Sequence, residues 1–285
     1  MSMNEDEKRA VVERLERYVR LKGSQKKASN SLDGVSSATI NKMLRGTWDD
    51  IADPMWRNLA NQLGGSTERT WQIAPTKAYR KMGFLLGEAQ RNSLTLGIVG
   101  SAGTGKSEAV RQYAETHSNV YHLACAEFWR KKVFIQQLVK SLGCGAQGGT
   151  VEELMDVAVS TLSKQDHPLI VLDEADKLSD PVLYFFITLY NLLEGRCGLV
   201  LQSTSYLEKR IQRGLTLGKR GYEEIYSRLG RHFIRLDSID DEDVALVCSH
   251  NGIENISTIR QIAKESDYDL RMVRRAVWAT LMSNE

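Results

Sequence analysis

From residue 100 the chain reads Gly100-Ser101-Ala102-Gly103-Thr104-Gly105-Lys106-Ser107. Few octapeptides restrict a fold so tightly. It satisfies G-x-x-x-x-G-K-[ST] without a mismatch. Residues 94–99 form a short apolar run that predicts a buried strand before it, and residues 107–117 predict a helix after it. Glycines let the backbone close around an anion, and the start of a helix aims free N–H groups at it. Residues Gly100 to Ser107 are therefore expected to cradle phosphates, with Lys106 reaching the β- and γ-phosphates and the Ser107 hydroxyl holding Mg²⁺. The expectation is a nucleoside triphosphate bound with Mg²⁺.

A second stretch answers the first. Pro168 introduces Leu169-Ile170-Val171-Leu172-Asp173-Glu174, four apolar residues ending in two carboxylates. A buried strand of this kind would deliver Asp173 to the Mg²⁺ shell, and Glu174 could polarise an attacking water. Other strands are expected at 120–124, at 198–203 with Ser203-Thr204 at its end, and at 232–236. Between the last two lies a basic segment that includes Lys209, Arg210, Arg213, Arg228 and Arg231, and three helices follow from residue 240.

The N-terminal part reads differently. Val11, Val12, Leu15 and Val19 form a helical stripe, Gly23 closes that helix, and Ser24 caps another running to about residue 32. Asp33-Gly34-Val35-Ser36 is a tight turn into a helix over 37–44, so the pair predicts a helix-turn-helix. Asp53-Pro54 supplies a cap and a first-turn proline for a helix over 55–63, which Gly64 stops. A polar stretch from Gly64 to Pro75 reads as a linker, which predicts that the parts on either side move independently.

At 285 residues about two domains are expected. A net charge of only +2 means that any nucleic-acid contact must come from local clusters. Cys125, Cys144, Cys197 and Cys248 show no metal spacing and read as free thiols. No apolar run is long enough for a membrane span, and the charged N-terminus resembles no signal peptide, so a cytoplasmic location without membrane contact is expected.

"SQKKASNSLDGVSSATINKMLRG" resembles the phage-repressor (Cro/C1) class of DNA-binding domain. That likeness implies that Ser37, Thr39, Asn41 and Lys42 face the major groove. From about residue 80 the order of parts resembles the AAA+ ATPases: phosphate loop, strand, Asp-Glu strand, polar-tipped strand, arginine-bearing helix, last strand, helical lid. It implies an α/β P-loop AAA+ module with a five-stranded parallel sheet ordered 5-1-4-3-2 and a helical lid, preceded by a small all-α helix-turn-helix domain. The expected boundaries are 1–64, a linker at 65–79, a core at 80–238 and a lid at 239–285. The likeness further implies Thr204 (or Ser203) as the polar group orienting the water. Arg228, or else Arg231, would be the arginine finger offered to a neighbour, and Arg271 the lid arginine; these three groups, with Glu174, would be catalytic. The domain order is most similar to the phage Mu B family of transposition ATPases. That likeness implies assembly with itself on duplex DNA, delivery of that DNA to a transposase, and DNA contacts from Arg130, Lys131 and Lys132. A replication initiator or helicase loader, and a nucleotide-sensing transcriptional regulator, remain open beside it.

Overall fold

A computed structural model describes residues 3–63, 71–145 and 148–283. Four helices come first: α1 (Glu5–Lys22), α2 (Gln25–Ser31), α3 (Ser37–Leu44) and α4 (Asp53–Gln62). Asn4 and Glu7 close a reciprocal capping box on α1, Ser24 caps α2 and Ser36 caps α3. Leu15, Ile40, Met43, Trp56 and Leu59 are fully buried between these helices, so the four form one small core. Asp53 is the first helical residue of α4 and Ala52 precedes it, one residue earlier than the expected cap, with Pro54 still in the first turn.

Next come α5 (Lys77–Arg91), β1 (Thr95–Val99), α6 (Lys106–Thr116), β2 (Val120–Ala124), α7 (Lys131–Ser141) and α8 (Val151–Leu162). They are followed by β3 (Leu169–Asp173), α9 (Asp180–Leu193), β4 (Gly198–Ser203), α10 (Ser205–Thr216), α11 (Tyr222–Arg228) and β5 (Ile234–Arg235). The strands are parallel and lie in the order β2-β3-β4-β1-β5, the expected order read from the other edge. Every residue of β3 and β4 is buried, as a parallel sheet covered on both faces requires. One face packs on α7, α8 and α9 through Phe134, Ile135, Leu138, Phe186 and Leu189. The other packs on α5 and α6 through Met82, Leu86, Ala89 and Val110. β5 is shorter than the expected 232–236, because Arg231 turns left-handed (φ 59°) and the Phe233 ring instead covers Gly97. The lid is α12 (Asp241–His250), α13 (Ile256–Ser266) and α14 (Leu270–Ser283), packed around Val244, Cys248, Val273 and Val277.

The linker expectation needs correcting where the structure describes it; Gly64 and residues 65–70 lie outside the described residues. Ala74 packs into the lid core with Trp71 against it, and α5 already starts at Lys77, capped by Thr76. The N-terminal helices are also docked rather than independent. Lys22 Nζ donates to the Ser141 carbonyl (2.9 Å) and Asn30 Nδ2 to the Gly143 carbonyl (3.1 Å), while Lys140 pairs with Asp33 (2.7 Å). A helix leaves its last carbonyls unsatisfied and carries partial negative charge there, so the C-terminus of α7 is a natural seat for donors and cations. Spacing along the chain could not reveal this, since the partners lie more than a hundred residues apart.

Lys22 also lies over the rings of Tyr18 (5.4 Å) and Tyr121 (5.8 Å), and burial lowers its pKa to about 8. A lysine whose pKa is lower folded than unfolded adds stability as pH rises, because the unfolded chain then holds the extra proton. Wild type should therefore gain stability relative to Lys22→Met between pH 8 and about 10.4, the ordinary lysine value. A thermal-denaturation difference that stays flat across that window would show that Lys22 is not buried against α7.

Candidate functional site

The phosphate loop runs from the end of β1 to the start of α6. Gly103 (φ 75°) and Gly105 (φ 84°) adopt left-handed backbone open to glycine, and Gly105 is the residue before the helix. Gly103 has no room for a Cβ against the Asp269 carboxyl, and its carbonyl accepts from Leu270 N (3.0 Å), so the lid is seated on the loop. Lys106 Nζ lies across the loop, donating to the carbonyls of Gly100 (2.9 Å) and Ser101 (2.7 Å). Burial lowers its pKa, partly offset by the charges of Asp173 and Asp176.

Asp173 ends β3 with only 2% exposure. Its carboxylate accepts from His122 Nε2 on β2 (3.1 Å), from Gln202 Nε2 on β4 (2.5 Å) and from the Ser107 hydroxyl. Burial opposes its charge, but the bonds from His122 and Ser107 outweigh it and hold the carboxyl below its usual range. The two expected metal ligands, Ser107 and Asp173, are thus in contact. Glu174 follows in left-handed backbone (φ 54°), which is uncommon for a residue with a side chain, and pairs with Lys177 (2.5 Å). Thr204 caps α10 and its hydroxyl is 3.5 Å from Asp176. Ser203 is buried with its hydroxyl unpartnered, so both candidates for the water-orienting group line the same cavity.

That cavity, of about 440 Å³, gathers Ala102 to Ser107, Asp173, Glu174, Ser203, Thr204 and Arg271. Gly100 and Ser101 lie just behind it, held by Lys106. Its other wall is apolar: Trp71, Ile73, Ala74, Val247 and Leu270. Asn251 fixes the approach to that wall, bonding both backbone groups of Gln72 (2.9 and 3.0 Å). Polar phosphate-sized space beside an apolar slot fits a nucleotide. Among the described residues no three His, Cys, Asp or Glu side chains converge for a metal. A hydroxyl and one carboxylate suit Mg²⁺, which takes few protein ligands and fills its shell with phosphate and water.

Residues 89–211 match the family model described as "AAA domain". This segment is an AAA-type ATPase domain. No curated protein matches the chain. Among solved structures, the Aeropyrum pernix Orc1 protein in complex with DNA is similar, with a TM-score of 0.51 and 16% identity over 72% of this chain. The match spans 58% of that Orc1 chain. A likeness at this identity concerns the fold, which is AAA+.

The remaining expected residues lie outside the cavity of this ATPase domain. Arg228 ends α11 with partners in its own chain: Asn191 Oδ1 (2.9 and 3.1 Å), the Glu224 carbonyl (3.3 Å) and the Tyr190 ring (5.3 Å). Arg231 is exposed. Arg130, Lys131 and Lys132 are all exposed at the start of α7. On α3 the most exposed face runs through Ala38, Lys42 and Arg45, with Ser37, Thr39 and Asn41 half-buried and Lys42 paired with Asp50 (3.1 Å). No helix among the described residues is long and apolar enough to cross a membrane.

Sequence reasoning missed four residues. His122 and Gln202 hold Asp173, and their only trace was a polar side chain within an apolar strand. Arg274 lines the cavity with its guanidinium between Trp71 (5.4 Å) and Trp278 (5.2 Å). Arg210, on α10, donates to the carbonyls of Asp176 (3.1 Å) and Leu178 (2.7 Å), to the Tyr222 hydroxyl (3.2 Å) and to Asp180. It thereby ties down the turn Ala175–Lys177 that follows Glu174. A lysine cannot reproduce that fork. In Arg210→Lys, ATP hydrolysis should fall toward about 10²-fold, the cost of small misplacement at a reacting centre, while ATP affinity stays near wild type. A rate loss matched by an equal affinity loss would contradict this role.

Proposed function

We propose that this protein is an ATP-dependent DNA-binding ATPase that assembles on duplex DNA and hands that DNA to a transposase. The observation that carries the DNA part is the start of α7. Arg130, Lys131 and Lys132 stand exposed at the positive end of a helix, where cations are unfavourable for the fold. A partner bearing phosphates would account for them. The docked helix-turn-helix, with Lys42 and Arg45 exposed, adds a second DNA surface. The boundaries proposed for the parts are 1–64, 80–238 and 239–285, with the segment between the first two contributing Trp71 and Ala74 to the nucleotide cavity.

Bound ATP with Mg²⁺ would supply the transferable phosphoryl group and its charge neutralisation. Residues Gly100 to Ser107 would wrap the phosphates, Lys106 would leave its loop carbonyls to pair with them, and Ser107 and Asp173 would hold the metal. Glu174 would accept the proton of the attacking water, with Thr204 or Ser203 orienting that water. Arg271, exposed and near Lys106, would lie over the phosphates from the lid. Arg228 would have to leave Asn191 to serve a neighbour's site, and Arg231 is the alternative. ATP then acts as an assembly switch, because hydrolysis removes the phosphate that draws the neighbour's arginine. A second reading, a replication initiator or helicase loader, is favoured by the similarity to an Orc1 protein solved with DNA. It predicts a preferred origin-like site rather than uniform coating of DNA.

Lys106→Ala should lose tight ATP binding and with it ATP-dependent assembly on non-specific duplex DNA, visible by electron microscopy. Glu174→Gln should keep assembly and slow hydrolysis, leaving long-lived complexes. ATP-independent coating by Lys106→Ala, or wild-type turnover by Glu174→Gln, would count against the switch.

A further inference from the structure

The most exposed large apolar side chain among the described residues is Phe128, at 78%. It lies in the segment Cys125 to Arg130, between β2 and α7, at the end of the sheet where the phosphate loop also lies. Its exposure does not come from a loose loop. Cys125 N donates to the Asp173 carbonyl (2.8 Å), and Trp129 N closes a tight turn onto the Ala126 carbonyl (3.0 Å). The Trp129 ring is buried edge-on against Phe134 (6.3 Å), and Phe134 N donates to the Arg130 carbonyl (2.9 Å). With Trp129 directed inward, Glu127 and Phe128 occupy the two central positions of the turn and point out. Arg130, Lys131 and Lys132, all exposed, follow at once.

Resting on the DNA-binding reading above, we propose that Phe128 is a wedge that stacks on a nucleobase at a base step of the bound duplex. Arg130, Lys131 and Lys132 neutralise the phosphates on either side. An apolar ring inserted at a step is a known way to unstack and bend a duplex, and it tolerates any sequence because every base offers a π-face. Cations beside the ring suit the phosphates that flank a stacked base, and an apolar peptide has no counterpart for them. The turn is already ordered, so inserting the ring costs little conformational entropy. The turn also shares the anchor of the nucleotide site: it hangs from the carbonyl of Asp173, and Glu127 acts electrostatically on Lys177, which is bonded to Glu174. A nucleotide-dependent shift at Asp173 would therefore act on the turn that carries the wedge through one backbone bond.

The test uses the full chain with ATP and a duplex of arbitrary sequence carrying 2-aminopurine, whose fluorescence reports unstacking. Phe128→Ala should weaken duplex binding roughly 5- to 150-fold, the range for one lost stacking contact. It should abolish the fluorescence change and leave the salt dependence of binding unaltered, since no phosphate contact is lost. Phe128→Trp should restore both signals. The double variant Lys131→Gln, Lys132→Gln should instead flatten the slope of log K against log salt by about 0.9 per lost contact. If that slope flattens while Phe128→Ala binds and unstacks like wild type, the wedge is wrong and the DNA surface stands. An unchanged slope in the double variant with wild-type binding by Phe128→Ala overturns both. A defect in Phe128→Ala confined to ATP-driven self-association without DNA would assign the ring to a contact between copies and overturn the wedge. The ring is solvated, so wild-type thermal stability of Phe128→Ala is expected in every case.

Discussion

A charged carboxylate has to be kept inside the sheet at Asp173, and much else in the molecule follows from that. Burial alone would push its proton back on; bonds from His122 and Ser107 outweigh burial, and Gln202 adds a third donor. The donors come from β2, β4 and the start of α6, so the charge is stable only if three separate elements arrive in register. The ladder pairs Ala124 with Asp173 and Leu172 with Leu201, which places Gln202 beside the carboxylate. A slip of one residue in β4 would turn Gln202 to the other face and leave Asp173 buried without it. The helices packed on the two faces of the sheet forbid that slip, because it would carry Leu199 and Leu201 out of one core and Val200 out of the other.

From this centre the surrounding parts are attached by short links. The lid is seated by Leu270 on the Gly103 carbonyl, the turn after Glu174 is pinned by Arg210, and the turn bearing Phe128 hangs from the Asp173 carbonyl. The N-terminal helices are attached at one remove, through the C-terminal carbonyls of α7. Each link to the site is made to backbone or to a charged group, so small movements near the phosphates would be transmitted as displacements of rigid elements. Contiguous links of this kind can carry coupling between a nucleotide site and a distant surface when the elements they join have two discrete arrangements.

Much of this was legible along the chain. The phosphate loop, the apolar run ending in Asp173 and Glu174, and the helix-turn-helix punctuation are local signals, written in residue type at fixed spacing. Steric rules for glycine, capping chemistry and two-sided burial act over a few residues, and the elements they predict are present, with boundaries shifted by a residue or two as at Asp53 and β5. The sheet order was likewise expected, though from likeness to a family and not from spacing.

What only the tertiary structure decided is which distant side chains meet. His122 and Gln202 are single polar residues within apolar strands, and nothing in their neighbours along the chain says that both will face one carboxylate. Arg210 lay in a basic segment where each cation resembled the next, until α10 packed beside Asp180 and Tyr222. A polar stretch that read as linker delivered Trp71 to the nucleotide cavity, because the lid core offered its ring an apolar seat. Residue type and spacing determine local conformation and the chemistry available. Long-range packing, whose partners lie tens to hundreds of residues apart, determines which of those groups become one site.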